Sequence, residues 1–162
     1  MMNKRNANKI LFLMFEGIEP TIFGSQVAIH ARELKKHNIE LEIWVFETNL
    51  KKYKRSLSSL QDAKELSQSE VKLFKGVYVY LPFSDFLNSL LLLYYLKKHK
   101  PDIKFIHARA DYSASVGGYI RKLINLPVIW DCRGDSVSEF DFALTPKNTI
   151  MQLAKRILFQ VI

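Results

Sequence analysis

The chain has little cysteine and lacks a long apolar run. One cysteine among 162 residues excludes an intrachain disulfide, and it favours a reducing compartment over a secreted module. The leucine-rich run at residues 90–96 (LLLLYYL) is far shorter than the roughly 20 residues of a membrane-spanning helix. The apolar run at residues 10–15 is shorter than a signal-peptide core of about 7–15 residues. These absences favour a cytoplasmic protein without a membrane span.

Several motifs with known chemistry are also missing. The sequence contains neither the G-x-G-x-x-G dinucleotide fingerprint nor a Walker A phosphate loop. The four histidines and Cys132 do not have the spacing of metal ligands. We therefore predict no metal and no bound cofactor, and we expect Cys132 to pack as a small apolar residue.

The net charge of +8 suits an anionic partner, although an ordinary solvated basic face explains it equally well. The densest basic cluster is residues 51–55 (KKYKR). No DNA- or RNA-binding motif accompanies this cluster, so nucleic acid is disfavoured as a partner. A nucleotide or an anionic membrane surface remains a candidate.

Apolar strand patterns alternate with helical patterns along the chain. Such alternation predicts an α/β fold: a single Rossmann-like, doubly wound domain with a mainly parallel sheet and helices on both faces. Residues 48–70 fit a loop or a short helix, and Ser25 is expected to cap the first helix. The sequence predicts strands over 9–17, 39–47, 71–82, 102–109 and 127–134, and helices over 25–38, 85–100, 111–126 and 148–162.

Polar residues follow three of the predicted strands, at the edge where doubly wound sheets bind ligands. Gly17 allows close approach of the backbone, and the amides of residues 24–26 either face an anion or form a plain turn with a cap. Arg109 shares a strand face with His107, for which a place in the core is the simpler explanation. A guanidinium there needs an anionic partner, either an aspartate such as Asp131 or a substrate phosphate.

The order of these segments resembles the N-terminal domain of GT-B glycosyltransferases, and most closely glycosyltransferase family 4. The similar segments are GIEPTIFGSQVAIHARELKKHNIELEIWVF and KPDIKFIHARADYSASVGGYIRKLINLPVIWDCRGDSVSE, together with the closing helix. Each motif alone is weak, and their order and spacing carry the resemblance. Arg109 stands where many relatives have a histidine, so a histidine role does not transfer to it.

The resemblance implies a retaining glycosyltransferase that uses a nucleotide-sugar as co-substrate in cell-surface glycan biosynthesis. This chain would hold the glycan or lipid-linked acceptor, and a donor-binding C-terminal domain would lie outside the 162 residues. Alone, the chain is expected to be inactive, and its catalytic residues are not identified. The resemblance implies a substrate- and donor-binding set of Gly17, Phe23, Gly24, Ser25, Gln26, Arg109, Asp131, Arg133 and Glu139.

Two other interpretations stay open. In the first, the chain is a non-catalytic subunit or binding module that recruits a separate donor-binding partner or a membrane surface. A peripheral position at the inner face of the membrane is suggested by residues 51–55 and by the aromatic and leucine residues at 86–96. An ordinary core helix is the simpler explanation of residues 86–96.

Overall fold

The computed structural model describes residues 8–132. Its centre is a parallel five-stranded sheet in the order β3-β2-β1-β4-β5, which confirms the predicted Rossmann-like α/β class. The sheet has two edges that matter below: the amino edge, where the strands begin, and the carboxyl edge, where they end. The strands are β1 (Asn8–Met14), β2 (Ile39–Glu47), β3 (Glu70–Lys75), β4 (Ile106–Arg109) and β5 (Val128–Asp131).

The helices connect successive strands. A short turn, α1 (Pro20–Ile22), runs through a π-helical segment (Phe23–Ala28) into α2 (Ile29–Lys36). The stretch expected to be a loop or one short helix forms two helices. The helix predicted over 148–162 lies outside the described residues. The other helices are α3 (Leu50–Ser58), α4 (Leu60–Ser67), α5 (Ser84–His99) and α6 (Ala110–Ile124).

The expected cap at Ser25 is wrong. Ser25 lies inside the π-helical segment, where its hydroxyl donates to the carbonyl of Thr21 at 2.6 Å. Proline fits the first turn of a helix, and the amide of Phe23 already donates to the carbonyl of Glu19 at 2.8 Å. The helix therefore begins before Ser25. At the other end of α2, Asn38 takes the left-handed conformation that commonly ends a helix, with φ of 58°.

The sheet is covered on both faces, and β1 at its centre shows why. Side chains alternate along a strand, so Phe12 and Met14 point to one face while Leu11 and Leu13 point to the other. All four are fully buried, which explains the continuous apolar run. On the first face they pack with the π-helical segment, α2 and α4; on the second face they pack with α5 and α6.

Helix α6 packs closely on the second face because Gly117 has no side chain. A Cβ added at Gly117 would lie 2.9 Å from Cγ1 of Val128, whereas one at Gly118 would meet open space. Of the two adjacent glycines, Gly117 therefore permits close packing on β5. Gly118 lowers the stability of the helix, because glycine is a poor helix former, and its missing side chain allows no closer contact.

One carboxylate is buried in the sheet near its amino edge. Glu42 is 2% exposed and accepts hydrogen bonds from Nζ of Lys72 at 2.7 Å and Nε1 of Trp44 at 2.8 Å, with Nζ of Lys9 at 3.4 Å. Burial alone would raise the pKa of Glu42. The hydrogen bonds and the positive charge of the lysines outweigh burial and lower that pKa below its ordinary value.

Candidate functional site

The strand order reverses between β1 and β4. The chain builds β1, β2 and β3 in one direction, and then returns to the other side of β1 with β4 and β5. In open α/β sheets, ligands bind outside the carboxyl ends of the strands at this switch point. Glu16 follows β1 there, and Arg109 ends β4 beside it.

Arg109 bridges the two sides of the switch point. Its Nε donates to Oε2 of Glu16 at 2.8 Å, and its Nη2 donates to Oε1 of Gln26 at 2.6 Å. The side chain is only 4% exposed, while that of Glu16 is 36% exposed. Nη1 of Arg109 is buried and has no hydrogen-bond partner among residues 8–132. The cluster thus holds a fixed guanidinium with one donor left to satisfy, next to a carboxylate that water can reach.

The π-helical segment brings Gln26 to Arg109. Phe23, Val27 and Ala28 are buried in the first face and anchor the segment, whereas Gln26 is exposed. A π-helix widens the turn by one residue and changes the direction of the side chains around it. Such segments are frequent at functional sites.

A second polar pair lies on the same sheet face. Nε2 of His107 is 3.3 Å from Oδ2 of Asp131, and the ring of His107 lies 4.8 Å from that of Phe12 and 5.9 Å from that of His30. Arg109 faces Asp131 in the strand register, yet its hydrogen bond to a carboxylate goes to Glu16. The ionic partner of Arg109 is therefore Glu16, and not Asp131 as the sequence suggested. An imidazole beside a carboxylate is an arrangement that can accept a proton and pass it on.

Gly17 has a structural requirement of its own. Its φ is +78°, a left-handed conformation that side chains rarely adopt, and an added Cβ would clash with Oε2 of Glu47. Glu47 is 4% exposed, and its other oxygen accepts from the amide of Asn49 at 3.1 Å. The neighbouring amide of Ile18 donates to Oγ of Ser56 at 3.2 Å. A role of Gly17 toward donor phosphates stays a prediction.

The predicted site residues divide into two groups. Gly17, Gln26, Arg109 and Asp131 lie at or near the carboxyl edge, and Gln26 and Arg109 are in direct contact. Phe23 lies in the core with 1% exposure.

Gly24 and Ser25 belong to the π-helical segment, where a Cβ at Gly24 would lie 3.4 Å from Cδ2 of Leu66. Arg133 and Glu139 lie outside the described residues.

Glu16 and His30 are not among the site residues predicted from the sequence. Glu16 directly follows an apolar strand, so the rule that selected Arg109 and Asp131 applies to it as well. His30 has no such signal, because its contact with His107 joins residues that are distant in sequence.

Within residues 8–132, the part of the chain that the structure describes, no group of three or more metal-ligating side chains is arranged to hold a metal ion. None of the helices in this part of the chain has the length and apolar character to cross a membrane. Cys132 is exposed, so the expectation that it packs as a buried apolar residue is wrong. An open depression of about 370 Å³, lined in part by Arg121 and Lys122, lies at the amino edge, away from the switch point.

No protein-family model matches the chain, and no curated protein does. Among solved structures, it is similar to a protein assigned as a UDP-N-acetylglucosamine 2-epimerase from Listeria monocytogenes, with a TM-score of 0.50 and 9% identity over 76% of this chain. The chain spans 30% of that protein's length. A chain of the Pnkp1/Rnl/Hen1 RNA repair complex gives a TM-score of 0.48 with 13% identity, over 81% of this chain and 44% of that one. The likeness to the epimerase supports the Rossmann-like fold and extends no further.

Proposed function

We propose that the chain is the acceptor-side domain of a glycosyltransferase that transfers a sugar from a nucleotide-sugar to a glycan or lipid-linked acceptor in cell-surface glycan biosynthesis. The observation that carries this proposal is the contact of Arg109 with Glu16 and Gln26 across the switch point. It joins residues from two of the segments that carry the resemblance to glycosyltransferase family 4. The fold likeness to a protein assigned to sugar-nucleotide chemistry adds support.

In the proposed reaction, the bond between the anomeric carbon and the nucleotide phosphate oxygen breaks. A new bond forms from that carbon to an acceptor hydroxyl oxygen, and the hydroxyl proton leaves. Arg109 and Gln26 would orient the acceptor substrate. Because their hydrogen-bonding groups are already fixed, less entropy is lost when the acceptor substrate is aligned for reaction. His107 with Asp131 offers a proton-accepting pair on the same sheet face. The departing phosphate would be stabilised mainly by a donor-binding domain, in cis or in trans.

The test is sugar transfer by the complete gene product from a panel of labelled nucleotide-sugars. Arg109→Lys keeps the charge but loses the planar fork, so transfer should fall by about tenfold to hundredfold. The matched control is Arg55→Lys, an exposed arginine of α3, which should leave transfer unchanged. A gene product that neither binds nor turns over any nucleotide-sugar would end the proposal.

A second candidate is a binding module that recruits a separate donor-binding partner. The edge strand β5 exposes large apolar side chains on both of its faces: Ile129 is 49% exposed and Trp130 is 56% exposed. An adjacent reading frame that encodes a donor-binding domain would favour this candidate. Transfer restored by mixing the two purified chains, with neither active alone, would establish it.

A further inference from the structure

Residues 90–96 of helix α5 are apolar around the whole circumference of the helix, but the helix is covered on one side only. Leu92 and Leu96 are buried against the second face of the sheet. On the opposite side, Phe86, Leu90 and Tyr94 are 47%, 47% and 56% exposed. A helix that is apolar on every side is normally buried on every side, so this exposed stripe predicts a further contact.

The stripe continues beyond α5. The preceding loop exposes Tyr80 and Phe83 to 59% and 77%, and the neighbouring helix α6 exposes Leu123 to 72%. The ring of Phe86 lies 6.1 Å from the ring of Tyr119 of α6, so the two helices form one surface. We call this the aromatic surface; it consists of Tyr80, Phe83, Phe86, Leu90, Tyr94 and Leu123.

Basic side chains stand at one end of the aromatic surface. Helix α5 ends with Lys97 and Lys98, both exposed, and α6 carries Arg121 and Lys122 near its end. The side chain of Lys98 lies over the ring of Tyr94 at 5.8 Å. The opposite ends of the two helices carry fewer charges: the first turn of each helix has one aspartate.

We propose that the aromatic surface binds an anionic phospholipid bilayer, with α5 lying in the plane of the interface. Exposed aromatic and leucine side chains combined with lysines are the composition that such helices use. A second copy of the chain fits less well, because pairing would bring two basic surfaces together. This inference stands on its own contacts and does not depend on sugar transfer.

The basic cluster at residues 51–55 is not part of this surface. It belongs to α3, where Oγ of Ser56 accepts a hydrogen bond from Ile18, a residue of the first-face core. The aromatic surface lies over the second face. In the sequence, residues 51–55 and residues 86–96 together suggested membrane attachment. In the structure they lie on different faces of the sheet, so residues of α3 can serve as controls for residues of α5.

The experiment is co-sedimentation of the 162-residue chain with vesicles of phosphatidylcholine alone or with about 30% phosphatidylglycerol. Binding is expected to the anionic vesicles and to weaken in high salt. Lys97→Gln with Lys98→Gln should weaken binding by about 25-fold, at about fivefold for each lysine near the surface. Phe86→Ser with Leu90→Ser should weaken it by about tenfold or more.

The controls make the same changes on the first face. Lys51→Gln with Lys52→Gln, and Leu57→Ser on the exposed side of α3, should leave binding unchanged. Circular dichroism verifies that each variant is folded, and sedimentation velocity measures self-association. The proposal is overturned if the wild-type chain does not co-sediment with anionic vesicles. It is also overturned if replacing the α3 lysine pair weakens binding as much as replacing the α5 pair. It is equally overturned if Phe86→Ser with Leu90→Ser dissolves a dimer without changing vesicle binding.

Discussion

Gly17→Ala should destabilise the protein strongly, for two separable reasons. With φ of +78°, an alanine would sit in the left-handed region, which costs about 1–2 kcal/mol. Its Cβ would also clash with the carboxylate of Glu47, which is 4% exposed and has little room to move. Overpacking at such a site costs about 1–3 kcal/mol, and the reduced freedom of the unfolded chain returns at most about 1 kcal/mol. We expect a net loss of about 2–4 kcal/mol in the free energy of unfolding.

The assay is urea unfolding, followed by fluorescence of the buried Trp44 and by circular dichroism. A double-mutant cycle with Glu47→Ala separates the two causes. Removing the carboxylate relieves the clash but leaves the backbone strain. The double variant should therefore be more stable than the sum of the single losses by about 1–3 kcal/mol.

Two results would refute this reasoning. A Gly17→Ala protein within about 0.5 kcal/mol of wild type would mean that the left-handed turn and the close approach of Glu47 are not features of the folded chain. Additive losses in the cycle would mean that the methyl group and the carboxylate do not meet. Neither outcome depends on a ligand, so the structural role of this glycine is testable apart from any role toward donor phosphates.

In the switch-point cluster, Glu16→Ala should cost about 1–2 kcal/mol more in urea unfolding than Arg109→Met, because it leaves a guanidinium only 4% exposed without its carboxylate; the reverse order would contradict the buried-cation reading. Gly118→Ala should raise the free energy of unfolding by about 0.5–1 kcal/mol, while Gly117→Ala lowers it by about 1–2 kcal/mol, both measured by thermal unfolding. Equal effects of the two would argue against close packing on β5. Glu42 has a lowered pKa, so its stabilisation is present above its ordinary pKa of 4.5 and is lost as pH falls through the lowered value. Glu42→Gln should therefore be less stable than wild type at pH 7, and this gap should narrow below about pH 4.5; a constant gap would contradict the prediction.

The fold class followed from local patterns because β1 is buried on both faces and apolar strand segments alternate with segments of helical length. Alternation also placed Glu42 on the face opposite Leu41 and Ile43. It could not predict that Glu42 is almost fully buried, because the burial depends on Lys72 and Lys9, which are 30 and 33 residues away. Local pattern sets the direction of a side chain, whereas long-range partners decide its exposure.

The site was predictable where it followed strand ends and was missed where backbone geometry intervened. Arg109 was selected because a parallel strand ends at it. The helix after β1 was misjudged, since a good capping residue, Ser25, lies inside a π-helical segment that begins at Phe23. That segment is also what allows Gln26 to reach Arg109. Propensities describe ordinary α-helices, and a widened turn falls outside them.

The two proposals meet at one edge of the sheet. In a parallel sheet, every strand ends at the carboxyl edge, so the loop that carries Tyr80 and Phe83 after β3 emerges at the same edge as Arg109. The aromatic surface thus begins at the carboxyl edge and runs back over the second face, while the polar cluster lies on the first face. If both proposals hold, an acceptor anchored in lipid would keep its apolar anchor on the side of the second face. Its polar head would extend across the carboxyl edge to the cluster of Arg109 and Gln26.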